Sequence, residues 1–113
     1  EDVFYYVITG KTAAEKQVEI KINEFNKKAI GNIPLKVSSL IFGDRSLFYI
    51  KQFSVKSLAI SYHEEVKSDK QFLLDAGLSN IRYYPITEKN FRKLISNKKE
   101  VEYIDQFKST FVQ

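Results

Sequence analysis

Residues 35–53 read LKVSSLIFGDRSLFYIKQF. Two apolar runs, 35–42 and 46–53, flank Gly43-Asp44-Arg45 and are rich in Val, Ile, Leu, Phe and Tyr. Such side chains suit a pleated surface, and glycine accepts the positive φ of a tight turn, so the stretch predicts a β-hairpin. In its first strand Leu35, Val37 and Ile41 alternate with Lys36 and Ser38, the pattern of a half-buried strand.

The flanking segments read as elements packed on this hairpin. Residues 3–9, VFYYVIT, are apolar at nearly every position, as in an interior strand covered on both faces. Gly10-Lys11 breaks the run, Thr12 is a good N-cap, and Glu15 completes a capping-box spacing. A helix over 13–29 follows, its stripe formed by Ala14, Val18, Ile22, Phe25 and Ala29, with Gly31-Asn32-Ile33-Pro34 as its stop. After the hairpin, Ser54 caps a helix over 55–67 with Val55, Leu58, Ala59, Tyr62 and Val66 on one face. A short helical turn over 69–76, with Phe72 and Leu73 inward, ends at Gly77; residues 80–86 form a fourth strand in which Pro85 calls for an edge or strand end.

The order β-α-β-β-α-β is that of an α+β, ferredoxin-like fold: a four-stranded antiparallel sheet with its first and third strands in the middle. Two C-terminal helices are predicted beyond it. Thr87 caps 88–96, with Phe91, Leu94 and Ile95 apolar; 99–111 carries Val101, Ile104, Phe107 and Phe111. This tail is too apolar to hang free and is expected on the second sheet face or an edge. The 113 residues thus read as one domain, with a core over 3–86 and a helical extension over 87–111.

Composition narrows the function classes. Apolar residues make up 43% and charged residues 28%, an ordinary globular balance. The absence of cysteine excludes thiol catalysis, thiolate metal sites and disulfides, and it assigns no compartment. There is no methionine either, and Glu1-Asp2 leads directly into a strand-like run, which reads as a piece of a longer protein or, alternatively, as a processed mature N-terminus. No signal peptide and no apolar run near the roughly 20 residues of a membrane span is present. The net charge of +4 is dispersed, with lysines side by side only at Lys27-Lys28 and Lys98-Lys99; a nucleic-acid binder concentrates its charge along one track.

Each candidate for chemistry has a plainer structural account. Central-strand aromatics of a ferredoxin-like sheet stack bases in RNA-recognition motifs, which singles out Tyr5, Tyr6, Phe48 and Tyr49 as a possible interaction surface. The third strand, SLFYIKQF, lacks the basic-Gly-aromatic signature of those motifs, so core packing is the preferred reading. His63 has no Cys, His or carboxylate partner at metal-ligand spacing and is expected to face solvent on its helix. Gly10-Lys11-Thr12 resembles the end of a P-loop, but Tyr5 stands where the first glycine is required. In Asn23-Glu24-Phe25-Asn26-Lys27-Lys28 the lysines complement a helix C-terminus and Phe25 anchors the stripe. No nucleophile–base pair or carboxylate pair is identifiable, so neither an enzyme nor a cofactor is expected.

Residues 4–8, 20–28 (IKINEFNKK), 35–42 (LKVSSLIF), 50–53 with the helix through Tyr62, and 86–111, including Asn90-Phe91, Lys98 and Tyr103…Phe107, carry a resemblance over nearly the whole chain. In these, in order, the chain resembles the C-terminal domain of the tetratricopeptide-containing lipoproteins of the gliding-motility and type IX secretion apparatus (SprE/PorW-like). The segment 69–78 differs in length from that pattern. The resemblance implies a non-catalytic interaction or assembly module with protein partners of a secretion or motility complex. It also implies a periplasmic location, with the parent anchored at the outer membrane. Two alternatives rest on topology alone: a peptidoglycan-binding module like the SPOR domains, and an RNA-binding ferredoxin-like domain.

Overall fold

The computed structural model describes residues 3–30, 35–54 and 56–111. Its elements are β1 (Phe4–Lys11), α1 (Glu15–Ile30), β2 (Val37–Phe42), β3 (Arg45–Phe53), α2 (Lys56–Ser68), α3 (Gln71–Asp75), β4 (Ser79–Thr87), α4 (Glu88–Asn97) and α5 (Glu100–Phe111). The strands form one sheet in the order β2-β3-β1-β4, every neighbour antiparallel. This is the ferredoxin-like α+β arrangement, with β1 and β3 interior as their apolar runs require. The expected helix stop Gly31-Asn32-Ile33-Pro34, Val55, and the side chains of Ala29 and Phe111 lie outside the described residues.

Alternation along β1 divides the core into two layers. Phe4, Tyr6 and Ile8 join Phe48 and Ile50 beneath Val18, Ile22 and Phe25 of α1, Ala59, Tyr62 and Val66 of α2, and Leu73 of α3. Tyr5 and Val7 point the other way, with Leu47, Tyr84 and Ile86, against Phe91 and Leu94 of α4 and Phe107 of α5. The tail therefore covers the second face of the sheet. Burying a Phe-sized side chain contributes about 1.5–3 kcal/mol, so these three tail residues are a substantial share of a domain's net stability.

Local chemistry sets the element ends. Gly43-Asp44 is a two-residue loop, because Arg45 already pairs with Phe42. Gly43 takes φ 64 and Asp44 stays negative, the type II′ pattern that matches strand twist. Thr87 caps α4 by accepting from the Asn90 N–H. Gly77, at φ 96, ends α3 in a Schellman motif: Leu78 N donates to Leu73 O and Gly77 N to Leu74 O. The first helix starts later than the capping box predicts. Thr12 Oγ1 accepts from Ala14 N two residues on, the first turn begins at Glu15, and the Glu15 carboxylate accepts from Ser46 instead.

Several apolar side chains read as inward are exposed. Ile41 is 79% exposed, because its face of β2 extends past the covering helices. Leu58 is exposed on α2, whose inward stripe continues through His63, and Ala14 is exposed ahead of α1. Val101 is exposed on α5: Glu100, Tyr103, Ile104 and Phe107 face the sheet in its place. That one-residue rotation creates the polar centre described below.

Candidate functional site

Tyr5, Tyr6 and Phe48 are buried and Tyr49 is half-buried. Tyr6 and Phe48 lie in the layer under α1 and α2; Tyr5 and Tyr49 lie against the Phe91 ring, each 4.9 Å away between centroids. Stacking a base or sugar requires a ring face open to solvent, and the first three rings have none. His63, expected at the surface, is 8% exposed. Its Nδ1 lies 2.7 Å from Tyr6 Oη, with Tyr83 and Phe107 packed around the ring. Burial holds its pKa below the usual imidazole range. Tyr62 donates to the Asn26 carbonyl oxygen, and Asn26, read as part of a helix end, is buried with its amide nitrogen unpartnered among the described residues.

With both faces covered, the sheet meets solvent at its edges. β4 is blunted: Pro85 removes an N–H, and Tyr103 Oη donates to the Pro85 carbonyl at 2.7 Å. β2 is open. The closing pair Phe42 and Arg45 exchanges ladder bonds across the two-residue loop. By alternation the N–H and C=O groups of Val37, Ser39 and Ile41 turn outward. Among the described residues no backbone group pairs with them. The strand itself, VSSLIF, contains neither a charge nor a proline to discourage pairing.

At the end of the sheet, on the α4–α5 side, a buried carboxylate gathers four partners. Glu100 is 3% exposed. Its Oε2 accepts from Thr9 Oγ1 at 2.6 Å and Tyr84 Oη at 2.7 Å; its Oε1 accepts from Arg82 Nη1 at 2.7 Å and lies 3.6 Å from Arg45 Nε. Register explains the convergence. Thr9 is opposite both Leu47 and Arg82, and Arg45 lies two residues from Leu47 on the same face of β3. The first turn of α5 lowers Glu100 onto that row. A bulge in β4, where Asn80 takes φ 52, brings the Asn80 carbonyl within hydrogen-bond reach of Arg45 Nη2. Burial, then the Glu100 charge and hydrogen bond, raises the Tyr84 pKa, so its hydroxyl is a secure donor.

The residues of this centre carry no joint pattern in the sequence. Thr9 was the one signal, a polar residue ending an apolar strand; the pairing to Glu100 spans 91 positions and leaves no local trace. Among the described residues no group of His, Asp and Glu is arranged to hold a metal ion, and no helix is long and apolar enough to cross a membrane. Compared with known protein families, curated proteins and solved structures, the chain matches none.

Proposed function

We propose that this domain is a non-catalytic interaction module that docks an extended segment of a partner protein along the open edge of β2. The observation that carries the reading is the outward row of backbone groups at Val37, Ser39 and Ile41, on a strand without charge or proline. Added strands gain main-chain hydrogen bonds from such an edge and specificity from the alternating side chains beside it. Here those side chains are Ile41, exposed, and Ser39, whose hydroxyl donates to Glu19 at 2.5 Å. They suit a neutral, β-branched segment. The resemblance to the type IX secretion and gliding lipoproteins supports a partner within that machinery and a periplasmic parent held at the outer membrane.

A photo-crosslinking residue at position 41, in cells making the parent protein, tests the edge. The expected product joins position 41 to an extended segment of a different protein, and Ser39→Pro abolishes it. Proline at that outward position removes a solvent-facing N–H and no ladder bond, so the fold is retained. Crosslinks that survive Ser39→Pro, or that join only two copies of this chain, refute the reading.

A further inference from the structure

The Glu100 centre holds more positive charge than it neutralises. Two guanidiniums, Arg45 and Arg82, face one carboxylate. Burial first, then the Arg82 charge, pushes the Arg45 pKa down. The other acceptors of Arg45, the Thr9 hydroxyl and the Asn80 carbonyl, are neutral. Like charges kept this close oppose folding, and a bound anion between them removes the repulsion.

The cationic groups also point into open space. Among the described residues Arg82 uses only Nη1, leaving Nε and Nη2, one side of its fork, for an acceptor; its side chain is 37% exposed. Among the described residues the Lys11 ammonium meets only the well-exposed Asp44, at 3.4 Å. A cleft of about 530 Å³ lies here, lined by Lys11, Asp44, Arg45, Asn80, Ile81 and Arg82. These three cations face two carboxylates, Asp44 and Glu100, which leaves a surplus of one positive charge. Arg45 forms a fixed wall: it is 9% exposed and held by Thr9 and by the carbonyl of the Asn80 bulge.

We propose that this cleft binds the phosphate group of a small phosphorylated ligand. With the adjoining cleft included, the net surplus of two charges matches a phosphate monoester dianion, and the unused edge of Arg82 supplies the paired N–H donors that grip phosphate bidentately. A carboxylate would bring half the charge, and Glu100 already occupies the carboxylate position of this centre. A second cleft of about 290 Å³, where Lys98 and Lys99 join the same two arginines and Glu102 joins Asp44 and Glu100, adds one further net positive charge toward the rest of the ligand. No residue of β2 lines the first cleft, so the site is independent of the docking edge.

Amide and arginine Nε–H spectra of the labelled chain, titrated at constant ionic strength with inorganic phosphate, acetate or chloride, test the assignment. Saturable shifts at Lys11, Asn80 and Arg82 are expected with phosphate, at a Kd of about 1 mM, with acetate roughly tenfold weaker. Lys11→Gln, outside the buried centre, weakens phosphate about fivefold; Arg82→Lys weakens it at least about tenfold, because a lysine keeps the charge and loses the fork. Ser39→Pro leaves it unchanged. Equal responses to phosphate and chloride, equal affinity for acetate, or unaltered binding by Lys11→Gln would overturn the proposal, and the last holds even if Arg82→Lys fails to fold.

Discussion

Glu100→Gln removes one negative charge from the interior while keeping the shape of the side chain. Three donors lose a charged acceptor, namely Thr9, Tyr84 and Arg82, and Arg45 loses its counter-ion at 3.6 Å. Hydrogen bonds to charged groups contribute about 1.5–3 kcal/mol each, but members of one network are not additive. Removing one partner of a buried pair destabilises by about 3–5 kcal/mol, and the partial exposure of Arg82 argues for the lower end. With 113 residues the entropy of unfolding is about 0.24 kcal/mol per kelvin, so a loss of about 3 kcal/mol lowers Tm by roughly 13 °C. Thermal and urea unfolding followed by circular dichroism measure it, with the exposed Glu102→Gln as control. The penalty should persist at high salt, because buried pairs are weakly screened. A loss below about 1 kcal/mol, or one that salt abolishes, would refute a buried ionic centre.

Gly10→Ala should destabilise by about 1–3 kcal/mol in urea unfolding, because an added Cβ meets Leu78 Cγ at 2.6 Å and the Ser79 carbonyl oxygen at 2.7 Å. Burial lowers the His63 pKa, so as pH falls below about 6.5 the unfolded chain takes up the proton first. The stability His63 contributes is complete above that pH and lost below it, and Tm measured from about pH 7.5 to 5 should flatten in His63→Gln. Burial raises the pKa values of Tyr6, Tyr62 and Tyr84, so stability is complete below about pH 10 and lost above it as unfolded tyrosines ionise. Phenolate absorbance should then rise together with loss of the circular dichroism signal, whereas gradual ionisation in a folded chain would contradict the burial. Lys98→Gly should stabilise by up to about 1 kcal/mol in the same unfolding assay, because Lys98 ends α4 at φ 58.

Strand and helix order follow from residues that report on their own neighbourhood. The alternating apolar runs, Gly43, Gly77, Thr87 and Pro85 each act within a few positions, and each marks the boundary its chemistry demands. The bulges do not. One extra residue in β3 between the partners of Phe4 and Tyr6 turns Phe53 onto the same face as Phe48 and Ile50; another in β4 sets Asn80 in the left-handed region. Register of this kind is decided by pairing across the sheet. The polar centre is hidden for the same reason. Periodicity puts Val101 inward because it weighs apolarity alone, whereas Glu100 faces in because Thr9, Tyr84 and Arg82 meet it there. His63 reads as a surface residue in the sequence because its partner, Tyr6, is 57 positions away.

The two-sided cover has a consequence for how this domain can act. A ferredoxin-like sheet with one bare face can recruit ligands through its central aromatics; here Phe91, Leu94 and Phe107 occupy that face, leaving the strand edges and the sheet ends. Of the edges, β4 is capped by Tyr103 from the tail, which leaves β2. Of the groups at the sheet end, Glu100, also from the tail, organises Arg45 and Arg82. The same two helices therefore close one face, blunt one edge and build the charged cleft. Removing them would expose Tyr5, Val7, Leu47, Tyr84 and Ile86 and strip both arginines of their counter-ion. The tail is accordingly part of the folding unit, and interaction experiments require the chain with α4 and α5 in place.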